Sequence, residues 1–387
     1  MKLSKIIFGA TAVLVSVGMV AGTFASCKKD EKPQSDNAYL EKVNDYSFWG
    51  NSSDNAIAEY NTYNHVHNFL DDCVIKDSNA YSKDGKIRKV LFLGFDGMRA
   101  DALPYVLTDE NNKNGVAYNS ATNVSAIQRL KQEGGAYIAY CGGEADTETA
   151  QTTSTSASWT SHFTGVWGSK HGIKTNDDSK NLDYKTFMLE FAEKGLNSSI
   201  AFDWDQYFDV NLKEEIKYVM ENNLPMNFCD IDRKKAEKLK KTNAETLELF
   251  NFVAPEKPSD SAPYDTGMRD YVLDRIALGD DIVCGIFHNI DTAGHTYGFG
   301  TSTEYKASVI NCDMYANSIL NAVKEREEKY NEEWLVIFAN DHGGLGKGHG
   351  EQTLEERTTW LVSNIKFDEK YYSNGYDGFN IKDGLDE

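Results

Sequence analysis

The sequence of 387 residues is short of several residue types, and each shortage excludes something. With only 6 prolines it cannot be a collagen-like or proline-rich extended chain, and 40% hydrophobic and 12% aromatic residues exclude a chain too polar to bury a core. Cysteine is scarce as well, 6 in all, at wide and irregular spacing that fits neither a zinc knuckle nor a disulfide scaffold. Cations are outnumbered, 40 Lys and Arg against 60 Asp and Glu, for a formal charge of −20. A nucleic-acid backbone is held by clustered Lys and Arg, so extended nucleic acid is excluded as a partner. The one basic run, residues 233–241, is short and reads as a solvated helix face. No internal repeat of fixed period is present. What remains is an acidic globular chain, long enough for one large or two medium domains.

At the N-terminus Lys2 and Lys5 precede an uncharged stretch from Ile6 to Ser26, the pattern of a signal peptide over residues 1–26. Ala25 and Ser26 immediately before Cys27 resemble a bacterial lipobox. That resemblance implies a lipidated Cys27, a polar tether over residues 27–39, and an exported protein anchored by lipid in the bacterial cell envelope, periplasmic or at the cell surface. The alternative is an uncleaved anchor, because about 20 apolar residues suffice to span a bilayer. An exported chain could carry one or two disulfides, although Cys284 lies in an apolar run and reads as a small buried hydrophobe.

Residues 89–95 form a continuous apolar run bounded by charge before it and Gly97 after it, as expected of a strand covered on both faces. Similar runs recur at 136–140, 199–202, 282–287, 334–339 and 360–362. Helical periodicity lies between them, at 123–132, 185–194, 212–221, 244–252, 265–277 and 304–329, with a further helix expected near 66–74. Strands alternating with helices imply an α/β fold: a mostly parallel central sheet with helices on both faces. Residues 254–263 hold three of the prolines and form a loop.

In an open sheet of this kind, ligands bind beyond the carboxyl ends of the strands. Three of the runs end in candidate metal ligands: Asp96 before Gly97; Asp291 and His295 in Asn289-Ile290-Asp291-Thr292-Ala293-Gly294-His295; and Asp341 and His342 before Gly343, with His349 soon after. Each cluster alone has an ordinary alternative, since an Asp after a strand often caps a helix and a lone His is usually structural. Together they account for three of only 8 histidines in the chain. Asp291 and His295 are four apart, so one helical turn aims both at one cation. Adjacent Asp341 and His342 in an extended segment point apart, which favours two cations over one. Mixed imidazole and carboxylate ligands suit Zn²⁺ best, Mn²⁺ or Fe next, and Ca²⁺ poorly. Two such ions form the clamp used for displacement at phosphorus. They also supply the positive charge that lets an acidic chain hold an anionic substrate.

A nucleophile is expected in the hydroxyl-rich segment that begins at Thr147, whose aromatic continuation through Trp159, Phe163 and Trp167 makes it a packed element rather than a linker. A hydroxyl at a helix N-terminus would meet a phosphate well. Residue type alone leaves Thr152, Thr153, Ser154, Thr155 and Ser156 open.

Taken in order, Phe95-Asp96-Gly97, the hydroxyl segment closing in Thr164-Gly165 and then His171-Gly172-Ile173, Asp291-x-x-x-His295, Asp341-His342-Gly343 and the late His349 resemble the alkaline phosphatase superfamily, in its type I phosphodiesterase/nucleotide pyrophosphatase branch. The resemblance runs from about residue 90 to 362. It implies a catalytic domain over 40–387 with a small cap insertion at about 204–264. It also implies a nucleophile ten residues before the segment-closing Gly165, which is Thr155. One metal is then held by Asp96, Thr155, Asp341 and His342, and the other by Asp291, His295 and His349. The implied activity is hydrolysis of a small phosphate ester through a phosphothreonine; the alternatives are a phosphomonoesterase or a non-catalytic substrate-binding lipoprotein on the same scaffold. Ser156-Ala157-Ser158 departs from the Phe-Pro-Asn of the pyrophosphatases, whose Asn contacts phosphate, and Ser154 from the Asp of alkaline phosphatases. Residues 174–280 are expected to build the specificity wall, and Arg357 either shapes the site or belongs to a sheet-edge loop.

Overall fold

The computed structural model describes residues 37–44, 48–52, 55–107, 125–231 and 264–373. The expected signal peptide, most of the tether, the basic run 233–241, the helix 244–252 and the loop 254–263 lie outside the described residues. Helix α1 (Asn37–Asn44) already occupies the end of the expected tether. No helix among the described residues is long and apolar enough to cross a membrane.

The strands are β1 (Ile57–Ala58), β2 (Val74–Lys76), β3 (Asn79–Tyr81), β4 (Ile87–Phe95), β5 (Gly135–Tyr140), β6 (Ser198–Phe202), β7 (Met226–Asp230), β8 (Ile282–Phe287), β9 (Glu332–Ala339) and β10 (Thr358–Ser363). They form one sheet in the order β1-β5-β10-β9-β4-β8-β6-β7, with the β2–β3 hairpin attached to the start of β4. All pairs along that order are parallel except those of β10, which runs antiparallel between β5 and β9.

Alternation along the apolar runs feeds two cores. In β4, Leu91, Leu93 and Phe95 enter one face and Val90 and Phe92 the other; in β9, Trp334, Val336 and Phe338 oppose Leu335, Ile337 and Ala339. The first face carries α4 (Ala126–Glu133), α9 (Tyr264–Leu278), α10 (Asn289–Tyr297) and α11 (Thr303–Tyr330); the second carries α2 (Asn61–Leu70), α5 (Thr155–Thr164), α7 (Phe187–Glu193) and α8 (Lys213–Glu221). A strand covered on both faces needs no polar alternation, which is why these runs are continuous.

Two expectations shift. The helix expected at 66–74 is α2, which ends at Leu70. Of the segment 204–264 expected as a cap insertion, residues 204–231 instead build the far flank of the main sheet: a π-helical turn Tyr207–Asn211, α8, and β7 paired in parallel with β6. Asn227 and Asp230 interrupt the apolar pattern of β7, so no buried run marks it in the sequence. The five described cysteines are free thiols, Cys284 buried among them.

Candidate active site

Register places the chemistry. β4 pairs with β9 up to Gly94 opposite Ala339 and with β8 up to Phe95 opposite Phe287, so three neighbouring parallel strands end at one edge. Asp96 leaves β4, Asn340 to His342 leave β9, and β8 runs into α10 with Asp291 and His295 one turn apart.

All seven residues expected to ligate metal meet there. His342 Nε2 lies 3.5 Å from Asp96 Oδ1 and 3.3 Å from Asp341 Oδ2. His295 Nε2 lies 3.3 Å from Asp291 Oδ2, and His349 Nε2 is 3.6 Å from Asp291 Oδ1. Thr155 Oγ1 is 3.4 Å from His342 Nε2. The stacked rings of His342 and His349, 3.8 Å between centroids, join the two clusters. Two donors bound to one tetrahedral ion at about 2.0–2.2 Å stand about 3.3–3.6 Å apart, which is the spacing seen. The divergence expected of Asp341 and His342 does not occur. The chain bends at Asp341, so both side chains face one point, and alternation along an extended strand no longer applies. The candidate ligands fall into overlapping groups that include Asp96/Asp341/His342 and Asp291/His295/His349.

The donor set fits cations in a further respect. His342 Nδ1 donates to Gly343 O (2.7 Å), His295 Nδ1 to Lys347 O (2.9 Å) and His349 Nδ1 to Thr153 O (2.9 Å). Each neutral imidazole therefore presents a lone pair at Nε2. Those of His295 and His349 stand 3.1 Å apart, the distance at which the two nitrogens share one proton or one cation. Asp96 Oδ1, Asp291 Oδ1 and Asp341 Oδ2 are buried without any hydrogen-bond partner. Such orphaned acceptors are costly, and a cation would satisfy all three.

The electrostatics agree. Burial, then the neighbouring Asp291, pushes the Asp96 carboxyl up to about 7, and burial beside Asp96 raises Asp341 well above the usual range. Burial opposes ionisation of Asp291 too, but the hydrogen bond from His295 and the surrounding imidazoles outweigh it and hold this carboxyl low. His295 rises to about 9 through its bond to Asp291, whereas burial, and His349 beside it, lower His342.

Among the open hydroxyls only Thr155 reaches a candidate ligand. Thr153 Oγ1 donates to Glu351 O (2.7 Å), Ser156 Oγ to Asn211 Oδ1 (2.7 Å), and Thr152 and Ser154 bond each other at 2.5 Å. Thr155 is the first residue of α5, and the helix closes ten residues later at Gly165 in the left-handed conformation (φ 76°). A side chain there would also collide with Tyr63. One turn on, Trp159 donates from Nε1 to Asp96 Oδ2 (3.0 Å) and packs against Gly94, where a Cβ would stand 2.6 Å from the indole. This fixes the helix that carries Thr155 onto the strand that carries Asp96.

Sequence reasoning missed His288. It directly follows β8, donates from Nδ1 to Asp203 Oδ1 (2.8 Å), and brings Nε2 to 3.7 Å from Asp291 Oδ2, within a third group formed with Asp96 and Asp291. Burial disfavours its charge, but Asp203, Asp96 and Asp291 together raise it to about 10. Its position at a strand end was the available signal. The Arg357 guanidinium donates to Gly143 O (2.5 Å), in the loop after β5.

The model of the type I phosphodiesterase/nucleotide pyrophosphatase family matches residues 90–346, more than half of the chain. The chain belongs to that family. It is thereby a member of the alkaline phosphatase superfamily and a hydrolase of phosphoric ester bonds. The matched span takes in Asp96, Thr155, Asp291, His295, Asp341 and His342, and ends before His349. No curated protein sequence matches the chain. Solved structures similar to this family member include an alkaline phosphatase from an Antarctic bacterium (11% identity, 75% of this chain and 95% of that one, TM-score 0.43). A phosphonoacetate hydrolase from Sinorhizobium meliloti is another (14% identity, 70% and 59%, TM-score 0.42). A third is a phosphonate monoester hydrolase from Agrobacterium radiobacter (11% identity, 72% and 70%, TM-score 0.42).

Proposed function

We propose that this family member hydrolyses small phosphoric diesters at a two-cation site, through a phosphothreonine on Thr155. The observation that carries the reading is the convergence of three orphaned carboxylate oxygens and three imidazole Nε2 atoms beside a hydroxyl at the start of a helix. Asp96, Thr155, Asp341 and His342 would hold one divalent ion and Asp291, His295 and His349 the other, with Zn²⁺ best matched to these donors. Bound there, the ions would supply Lewis acidity at the nucleophile and the leaving oxygen.

The chain's own residues do the rest. Helix α5 holds Thr155 Oγ1 in a buried position, with the helix N-terminus favouring the anionic substrate. Oγ1 bonds to phosphorus as the ester P–O bond opposite it breaks, and its proton passes through solvent to the departing alkoxide. Water then attacks the phosphothreonine from the same side, releasing a phosphomonoester and restoring Thr155. Two in-line displacements retain configuration at phosphorus.

Purified protein loaded with Zn²⁺ and offered bis-p-nitrophenyl phosphate and p-nitrophenyl phosphate tests the reading. Diester turnover that chelation abolishes supports it. Monoester turnover alone replaces it with a phosphomonoesterase, and metal binding without turnover of either ester replaces it with a binding protein. Thr155→Ala should abolish turnover while leaving metal content largely unchanged; undiminished turnover in that variant sinks the nucleophile assignment. The protein is further proposed to be exported and tethered by lipid on Cys27, for which incorporation of labelled palmitate, lost in Cys27→Ala, is the measurement.

A further inference from the structure

The loops beyond β4, α10 and β9 carry the candidate cation ligands, and one side chain touches all of them. Arg99 follows Asp96-Gly97-Met98 beyond β4 and is buried. Its Nη1 donates to Gly344 O (3.0 Å), which lies between His342 and His349 in the chain. Its stem packs on Gly343, where a Cβ would stand 3.2 Å from Arg99 Cγ, and a Cβ at Gly300, in the loop after His295 and α10, would stand 3.0 Å from Arg99 Nε. Within its own loop, Gly97 N donates to Asp341 Oδ1 (3.0 Å). The spacing of the ligands therefore depends on where this guanidinium sits.

An arginine stem has many rotamers, so the guanidinium needs supports of its own. One is Asp101, which accepts from Nε (2.8 Å) and Nη2 (3.0 Å) in a two-bond fork. The others come from α1. The guanidinium carbon stands 5.1 Å over the ring of Tyr39, and Lys42 Nζ donates to Asp101 Oδ2 (2.9 Å). Helix α1 is itself held in place: Val43 is fully buried, and Trp49 Nε1 donates to Val43 O (2.9 Å). The Lys42 side chain is 54% exposed, so its ion pair adds little. Tyr39 is 6% exposed, and a cation over an aromatic face is held most strongly where water is excluded.

We infer that Tyr39 is a positioning residue for the cation site: from the N-terminal helix its ring holds the Arg99 guanidinium against Gly344, and so fixes the loop between His342 and His349. The inference rests on the two-cation reading above, and it concerns a residue outside both the ligand set and the family-matched span 90–346. The ordinary alternative is a core aromatic that only fills space. Leucine separates the two, because it fills most of the volume but offers the cation no ring face, whereas phenylalanine keeps both.

The measurement is Zn²⁺ affinity of the full-length protein, by competition with a chelating dye, alongside turnover of bis-p-nitrophenyl phosphate. Tyr39→Leu should weaken Zn²⁺ binding about 10-fold, the loss of one desolvated cation–π contact, and Tyr39→Phe should bind as wild type. Turnover at limiting Zn²⁺ should fall in Tyr39→Leu and return at saturating Zn²⁺. Lower stability alone would not move the Kd of protein still folded at the assay temperature. In Arg99→Gln, which keeps the inner stem and removes the cation, Tyr39→Leu should cost no further affinity. Wild-type affinity in Tyr39→Leu, equal losses in the Leu and Phe variants, or a loss that persists beside Arg99→Gln would each overturn the inference. Should Arg99→Gln not fold, the comparison of Leu with Phe decides by itself. A wild type that binds Zn²⁺ yet turns over no ester would fail the hydrolase reading instead. The affinities then still decide this one: a 10-fold loss confined to Tyr39→Leu sustains it, and wild-type affinity there overturns it.

Discussion

Asp96→Asn should stabilise the metal-free protein while destroying the site. Asp96 is fully buried, and burial together with Asp291 pushes its carboxyl up to about 7. A carboxyl raised above its unfolded value folds best when protonated, so its contribution is intact at low pH and is lost as the pH rises toward 7. Taking about 3.8 unfolded and about 7 folded, ionising Asp96 costs the folded state about 2 kcal/mol at pH 5 and about 4 kcal/mol at pH 8. An Asn there still accepts from Trp159 Nε1, as Asp96 Oδ2 does at 3.0 Å, and its NH₂ faces the acceptor-rich side where Asp341 Oδ2 lacks a partner. The assay is urea unfolding in a chelator at pH 5 and pH 8, repeated with Zn²⁺. In the chelator, Asp96→Asn should exceed wild type at both pH values, by up to about 4 kcal/mol at pH 8 and by less at pH 5. With Zn²⁺ at more than a thousand times its Kd the order should reverse, because a ligand bound only by the folded state then adds more than about 4.1 kcal/mol. A metal-free Asp96→Asn protein no more stable than wild type at pH 8 would refute the reasoning.

Two further predictions concern the scaffold. His65 is buried against Phe367, with Nε2 3.2 Å from both Ser363 Oγ and Ile365 O, and burial lowers it to about 4. The stability of a depressed histidine is complete above about 6.5 and lost as pH falls toward 4. The cost of His65→Gln should therefore shrink by about 2 kcal/mol between pH 7.5 and pH 5 in urea titrations, and a cost constant with pH would show that His65 titrates alike in both states. Lys89 and Asp281 form an ion pair of 2.7 Å with side chains 2% and 1% exposed, so Lys89→Met should cost about 3–5 kcal/mol by stranding a buried carboxylate. The companion Lys89→Met/Asp281→Asn, which removes both charges, should recover most of that loss in the same measurement.

Much of the fold was legible because its central strands are buried on both faces. The runs at 89–95, 282–287 and 334–339 announce themselves as β4, β8 and β9 with almost the right ends. The flanking helices α7, α8, α9 and α11 follow from periodicity for the same reason, since each buries one side against the sheet. β7 was not legible, because its Asn227 and Asp230 break the apolar run, and its place depends on pairing with β6 across more than twenty intervening residues.

For the site, residue type and strand-end position alone named Asp96, Asp291, His295, Asp341, His342 and His349, because acids and imidazoles recur beside glycines at the ends of three buried runs. The choice of Thr155 came from the order of motifs; in the structure it is the one of the five hydroxyls beside His342, and the other four are bonded elsewhere. Three things depended on the tertiary structure. The bend at Asp341 turns two adjacent side chains onto one point, which no rule of strand alternation anticipates. His288 joins the site only because Asp203, at the end of a different strand, holds its outer nitrogen. Trp159 gains its place from a contact across 63 residues, to Asp96. Local sequence determines which segments are buried and which residues can carry charge; which of those residues face one another is set by strand order and register, and these are properties of the assembled sheet.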